Sequence, residues 1–235
     1  MKQIHGINYR EGTSDEQVLH EVIHQDCYFF NQWKPKTQPK CIIDVGCQIG
    51  VFSSVAASRF KDCKVLSFEI DSENFKIAES NLSKFENCKV YNSAVCGKNS
   101  VLGYRKNHNN TGGNKAVFKG SDSYISEDKL EKTTFKGIES PVEEIFPTPN
   151  SINLEQVLND NKIDEVDFLK MDCEGSEHEI IPHLVESGLF KKIKNLSLEL
   201  HGRDKKEYNY IVSSLIKNFN TAISLRNGVY MHCRD

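Results

Sequence analysis

The chain has 235 residues, with 30 Lys and Arg set against 33 Asp and Glu, giving a formal net charge of -3. That balance excludes a surface built throughout to hold nucleic acid. Hydrophobic residues at 38% and charged residues at 27% are ordinary globular usage, which excludes wholesale disorder and is enough for one substantial core.

The opening MKQIHGINYREGTSDEQV lacks the apolar stretch of a signal peptide, and no run of about 18 apolar residues follows to span a membrane. The eight cysteines are scattered singly, with no CxxC pair and no zinc-spaced Cys/His cluster, so they read as small buried thiols of a cytoplasmic protein. Thr13-Ser14-Asp15 reads as a helix cap followed by Val18, Leu19, Val22 and Ile23 at helical spacing. Together with the linker-like KPKTQPK, this predicts an N-terminal helical segment or lid over residues 1–39 and a main domain over 40–235.

From residue 40 strands and helices alternate. KCIIDVG, CKVLSFEID, CKVYNSAV, VDFLKMD and KNLSLELHG read as strands, and VFSSVAASRF, SENFKIAESNLSKF, SEHEIIPHLVESGLF and RDKKEYNYIVSSLIKNF as helices, the second capped by Asp71 or Ser72. Such alternation predicts an α/β, Rossmann-like, doubly wound and mostly parallel sheet. The stretch from about 96 to 150 breaks the rhythm and reads as a loop-rich insertion with one or two irregular strands. In TAISLRNGVYMHCRD, Asn227-Gly228 between two apolar runs predicts an antiparallel hairpin at the sheet edge.

The first strand ends in Asp44-Val45-Gly46-Cys47-Gln48-Ile49-Gly50, where glycines let backbone amides approach a ligand at a helix start. This is G-x-x-x-G after an acid, not the dinucleotide G-x-G-x-x-G, and a carboxylate there suits an ammonium or sulfonium better than a pyrophosphate. The second strand ends in Glu69, placed to accept both ribose hydroxyls of an adenosine, and the third in Asn92-Ser93-Ala94, a small turn suited to an adenine edge.

These strand ends, with Ile70 beside Glu69, resemble the motifs of S-adenosylmethionine-dependent methyltransferases. KMDCEGSEH, IDVGCQIG, FEIDSENF and REGTSDEQV are together similar to the FkbM family, in patches over almost the whole chain. The resemblance implies a class I methyltransferase fold, S-adenosylmethionine as donor, and transfer to an oxygen of a sugar, lipid or other small molecule. It names no particular acceptor and no oligomeric state.

In an open parallel sheet the ligand lies beyond the carboxyl ends of the strands, so Lys170 to Glu177 emerge at the rim. Asp172 is placed to take the acceptor's proton and to adjoin the cofactor, with Glu174 a further catalytic candidate. Glu174, Glu177 and Glu199 are expected to bind the acceptor. His201 shares a face with Glu199 and is a second candidate base, because an imidazole titrates near neutral pH. Asp172, Glu199 and His201 also carry donors that suit a divalent cation, although the preferred reading has no metal. Two rival readings are a nucleotide-linked oxidoreductase and a non-catalytic adenosine-ligand-binding protein on the same fold.

Overall fold

A computed structural model describes residues 1–98, 101–107, 110–118, 145–147, 150–201, 205–225 and 230–234. In chain order, a hairpin of β1 (Lys2–Ile4) and β2 (Ile7–Tyr9) precedes α1 (Asp15–Ile23). The alternating body then runs β3 (Cys41–Val45), α2 (Val51–Arg59), β4 (Lys64–Glu69), α3 (Ser72–Leu82) and β5 (Cys88–Asn92). Five short strands follow: β6 (Ala94–Cys96), β7 (Val101–Arg105), β8 (Lys115–Phe118), β9 (Ile145–Pro147) and β10 (Ser151–Asn153). The chain continues through α4 (Leu154–Asn161), β11 (Phe168–Met171), α5 (Glu177–Glu186), β12 (Asn195–Glu199), α6 (Lys205–Asn218), β13 (Thr221–Leu225) and β14 (Tyr230–Arg234).

The central sheet has the order β13-β14-β12-β11-β3-β4-β5. Strands β12, β11, β3, β4 and β5 pair in parallel, while β14 runs antiparallel to both β12 and β13. This is the Rossmann-like sheet with an antiparallel edge expected from the alternation. Asn227-Gly228, which suggested the edge hairpin, lies outside the described residues.

The near-continuous apolar character of β3 follows from burial on both faces. Ile43, Val45, Leu169 and Met171 join a core with Leu154, Val157, Ile180, Ile181, Leu184 and Leu215 of α4, α5 and α6. Their alternate neighbours Ile42 and Phe168 face Leu19, Val22, Phe52 and Ala56 of α1 and α2. Each such side chain taken out of water contributes about 1.5–3 kcal/mol, so the two layers fix which strand ends meet.

Four details depart from the sequence reading. The N-terminal segment adds the β1–β2 hairpin to its helix. Ser14 makes no side-chain cap bond on α1; its hydroxyl meets Thr111 Oγ1 at 2.8 Å, and the Asp15 carboxylate is taken by Arg10. Helix α4 was not anticipated, although Leu154, Val157 and Leu158 have helical spacing and the Asn153 side chain accepts from Gln156 N. Within the insertion, β7 pairs with β8 and β9 in a small antiparallel sheet, and β6 pairs in parallel with β10.

Candidate active site

The register brings the predicted strand ends to one edge. Val45 stands opposite both Phe68 and Met171, so Gly46, Glu69 and Asp172 follow side by side. Gly46 N and Cys47 N both donate to Phe68 O at 3.0 Å, and Asp172 N donates to Val45 O at 3.0 Å. Gly46 has φ of +76°, and a Cβ built there would lie 1.8 Å from the Asp172 carbonyl oxygen. No other residue lets β3 turn beneath the end of β11 without displacing it.

A crevice of about 760 Å³, counting the space open at its mouth, lies over this edge. Of the predicted cofactor residues, Gly46, Gln48, Glu69, Ile70, Ser93, Ala94 and Asp172 line it, as does Glu174. Asp44, Gly50 and Asn92 do not, and each is occupied inside the protein. Asp44 accepts from Ser53 Oγ at 2.6 Å and pairs with Lys170 Nζ at 3.1 Å. The Asp44 carboxylate therefore neutralises an internal lysine and is not placed to attract a cationic ligand. Gly50, at φ +83°, lets α2 start against Leu82 and Ala78. Asn92 donates to the backbone oxygens of Glu69 and Ile70, at 2.9 and 3.2 Å, and fixes the end of β4.

Glu69 is held by two backbone donors, Gln48 N on Oε2 and Asp71 N on Oε1, each at 2.9 Å. Burial dominates its acidity and pushes its pKa up to about 7, against partial relief from those N–H groups. Lys170, which a strand's alternation points away from its neighbours, sits under the turn and donates to Gly46 O at 2.6 Å.

Beside Asp172 the loop after β11, the start of α5 and the end of β12 converge on His201. Its Nε2 lies 3.5 Å from Glu174, 3.8 Å from Glu199 and 3.9 Å from Asp172, and its Nδ1 is 3.2 Å from Glu177. Glu177 is fully buried, accepting from Cys173 N at 3.0 Å and Gly175 N at 2.8 Å. It therefore positions His201 and does not face the crevice. Burial raises its proton affinity, but His201, the Cys173 N–H and its own backbone N–H outweigh that and hold it below the ordinary carboxylate range. Burial opposes charge on His201 as well, yet Glu174, Glu177 and Asp172 prevail and push its pKa up to about 11. Asp172 is shifted upward chiefly by burial, offset in part by Lys170, His201 and Tyr28.

Several wall residues were not among the predicted site residues. Tyr28 Oη donates to Asp172 Oδ2 at 2.5 Å across 144 positions of chain. Val18, Val22 and Tyr28 of the N-terminal segment, with Gly112, Asn114 and Ala116 of the insertion, complete the crevice. Arg10, Thr13 and Asp15 do not line it; Asp15 ties Arg10 to Gln48 Nε2 at 2.7 Å and Thr111 Oγ1 at 2.7 Å behind the wall.

Among solved structures, the chain is similar to the delta-N METTL16 MTase domain, at 12% identity and TM-score 0.45, covering 92% of this chain and 80% of that one. It is also similar to a ribosomal protein L11 methylase from Lactobacillus delbrueckii subsp. bulgaricus, at 13% identity and TM-score 0.44, covering 89% and 76%. A precorrin-6y C5,15-methyltransferase from Geobacter metallireducens GS-15 matches at 11% identity and TM-score 0.43, covering 96% and 90%. Likeness at this level carries no substrate across. No curated protein matches the sequence. The methyltransferase FkbM domain, by contrast, matches residues 44–220, from the glycine turn to just past α6. A match over so much of the chain places the protein in the methyltransferase FkbM family, and with it among the S-adenosylmethionine-dependent methyltransferases.

Proposed function

We propose that the protein methylates a hydroxyl oxygen of a small-molecule acceptor such as a sugar or lipid, with Asp172 receiving the acceptor's proton. The observation that carries this reading is the position of Asp172. It is at once a wall of the crevice and a member of the carboxylate cluster around His201.

The crevice suits the donor. Phe68, Ile70 and Val95 offer apolar surface beside the buried Glu69, a combination that fits an adenine and a ribose diol. Gln48 Oε1 is buried with no hydrogen-bond partner among the described residues and offers an acceptor for an ammonium. When bound, S-adenosylmethionine supplies an electrophilic methyl carbon on a sulfonium.

The chain's own residues align the acceptor and take its proton. Asp172, with its raised proton affinity, is a stronger base than an exposed aspartate. The Tyr28 hydroxyl holds one of its oxygens. His201, at about 11, is an imidazolium near neutral pH, so it balances the surrounding carboxylates and takes no proton itself. Glu174 and Glu199, beside it, are placed to accept from further hydroxyls of the acceptor.

Glu69 makes donor binding pH-dependent. Its folded pKa of about 7 stands above the ordinary 4.5, so the folded state holds the proton more tightly than the unfolded chain. The unliganded protein is therefore stabilised by this group most below pH 4.5, and that contribution is lost as the pH climbs to about 7. Donor binding, which needs the carboxylate, has the opposite sense. Calorimetry with S-adenosylhomocysteine is expected to show affinity rising with pH, by about tenfold per unit below the pKa, and then levelling. A Glu69→Gln variant should bind weakly with no such slope; a flat profile in the parent would refute the role given to Glu69.

The overall reading is tested by incubating the protein with isotope-labelled S-adenosylmethionine and a metabolite extract, followed by mass spectrometry. A product heavier by one methylene and released as the free alcohol by ether cleavage is expected. Label found only on nitrogen or carbon would overturn hydroxyl transfer.

A further inference from the structure

Three stretches far apart in the chain meet behind the glycine turn: the start of α1, the turn itself and the insertion. They converge on the fully buried carboxylate of Asp15. Its Oδ2 accepts from Arg10 N and Nε at 2.9 Å each, and its Oδ1 accepts from Arg10 Nη2 at 2.9 Å, Thr111 Oγ1 at 2.7 Å and Gln48 Nε2 at 2.7 Å. Burial raises its proton affinity, but the Arg10 side chain and backbone N–H and the Thr111 hydroxyl prevail and hold its carboxyl below the ordinary value. Asp15 is therefore ionised, and an ionised carboxylate accepts hydrogen bonds and donates none.

That charge decides how the Gln48 amide is turned. Only the NH₂ end can face an acceptor-only partner, so Oε1 is directed away from Asp15. Gln48 lines the crevice, is itself only 6% exposed, and its Oε1 has no hydrogen-bond partner among the described residues. A buried amide oxygen without a donor is costly, and a ligand N–H that reaches it removes the cost. The backbone of Gln48 is held as firmly as its side chain. Its φ is +50°, a left-handed conformation uncommon outside glycine, and its N–H is fixed on Glu69 Oε2 at 2.9 Å. One residue is thus gripped on one side by the acid assigned to the ribose and on the other by Asp15.

We propose that Asp15 is a positioning residue for the methyl donor: it fixes the Gln48 amide so that Oε1 receives the ammonium of the donor's amino-acid end. This inference deepens the donor assignment and rests on it. Asp44, the acid at the head of the turn, is paired with Lys170 inside the protein. The negative charge that secures the ammonium therefore acts from the N-terminal segment, relayed through an uncharged amide.

The test is calorimetry on the full chain with three ligands. S-adenosylhomocysteine carries the whole amino-acid end, its decarboxylated analogue keeps the ammonium, and 5′-methylthioadenosine keeps only the adenosine and sulfur. Asp15→Asn lets either end of the new amide face Gln48 and so releases its orientation. With folding checked by melting curves, the first two ligands are expected to bind at least about tenfold more weakly, the usual worth of a hydrogen bond to a charged group. Binding of 5′-methylthioadenosine should stay within about twofold of the parent. If the asparagine variant does not melt cooperatively, Asp15→Glu keeps the charge against Arg10 while shifting it by one methylene, and the same selective loss is expected. Gln48→Met leaves the Asp15–Arg10 pair intact and should show that loss too, and adding Asp15→Asn to it should change the selectivity no further. An equal loss for all three ligands, a loss confined to the ligand that bears the carboxylate, parent-like binding in a folded variant, or a further selective loss in the double variant would each overturn the proposal. A parent that binds 5′-methylthioadenosine and S-adenosylhomocysteine while the variants fail these expectations removes the relay alone. A folded parent that binds none of the three removes the methyl-transfer reading as well.

Discussion

Asp172→Asn is expected to lower turnover by about 10²–10⁴-fold, the usual worth of a positioned general base, while S-adenosylhomocysteine still binds. The substitution keeps the shape of the side chain and leaves an oxygen that can accept from Tyr28 Oη, so the tie to the N-terminal segment survives. Lys170 keeps Asp44 as its partner, and His201 keeps Glu174, Glu177 and Glu199. The fold should therefore hold, with a melting temperature within a few degrees of the parent. What is lost is a negative oxygen on the crevice wall. Steady-state kinetics should show the loss in kcat, with the donor's KM nearly unchanged, and calorimetry should confirm donor binding. Parent-like kcat in a folded variant would remove Asp172 from the reaction.

Gly46→Ala should damage fold and site together. The added Cβ would stand 1.8 Å from the Asp172 carbonyl oxygen and 2.8 Å from its carbon, both backbone atoms that no side-chain rotation can clear. The residue must also keep φ at +76°, in the left-handed region. Left-handed strain and overpacking together come to about 2–5 kcal/mol. Urea unfolding should show a loss of that size, and S-adenosylhomocysteine binding should fall below detection, because the shift moves Asp172 and the turn apart. Gly12→Ala is the matched control: its φ is +72° but nothing among the described residues lies within 4 Å of the added carbon. It should cost only the conformational strain, about 1–2 kcal/mol, and leave binding intact. Equal losses in the two variants would show that conformation alone, not close approach, explains Gly46.

The sheet and its strand ends were legible because their signals are local. Period-two and helical patterns name the elements, and parallel pairing then carries Gly46, Glu69 and Asp172 to one edge without any further information. What the pattern could not show depends on contacts between distant segments. Asp44 reads as a ligand-facing acid until Lys170, from a strand more than a hundred residues away, is seen against it. His201 reads as a base near neutrality, but Glu174, Glu177 and Asp172 reach it from other elements and raise its proton affinity. Tyr28 has no local signature, since its role exists only where the N-terminal segment meets the end of β11. Helix α4 is a different kind of omission: its spacing was visible, but the irregular stretch before it obscured its start.

The walls supplied by Val18, Val22 and Tyr28 lie upstream of Asp44, where the family match begins. The matched domain thus builds the floor of the crevice, while part of its enclosure comes from the segment that precedes the match. Because that segment takes no part in the pairing of the parallel strands, a substitution at Val18 or Val22 can reshape the enclosure while the strand ends beneath it keep their places.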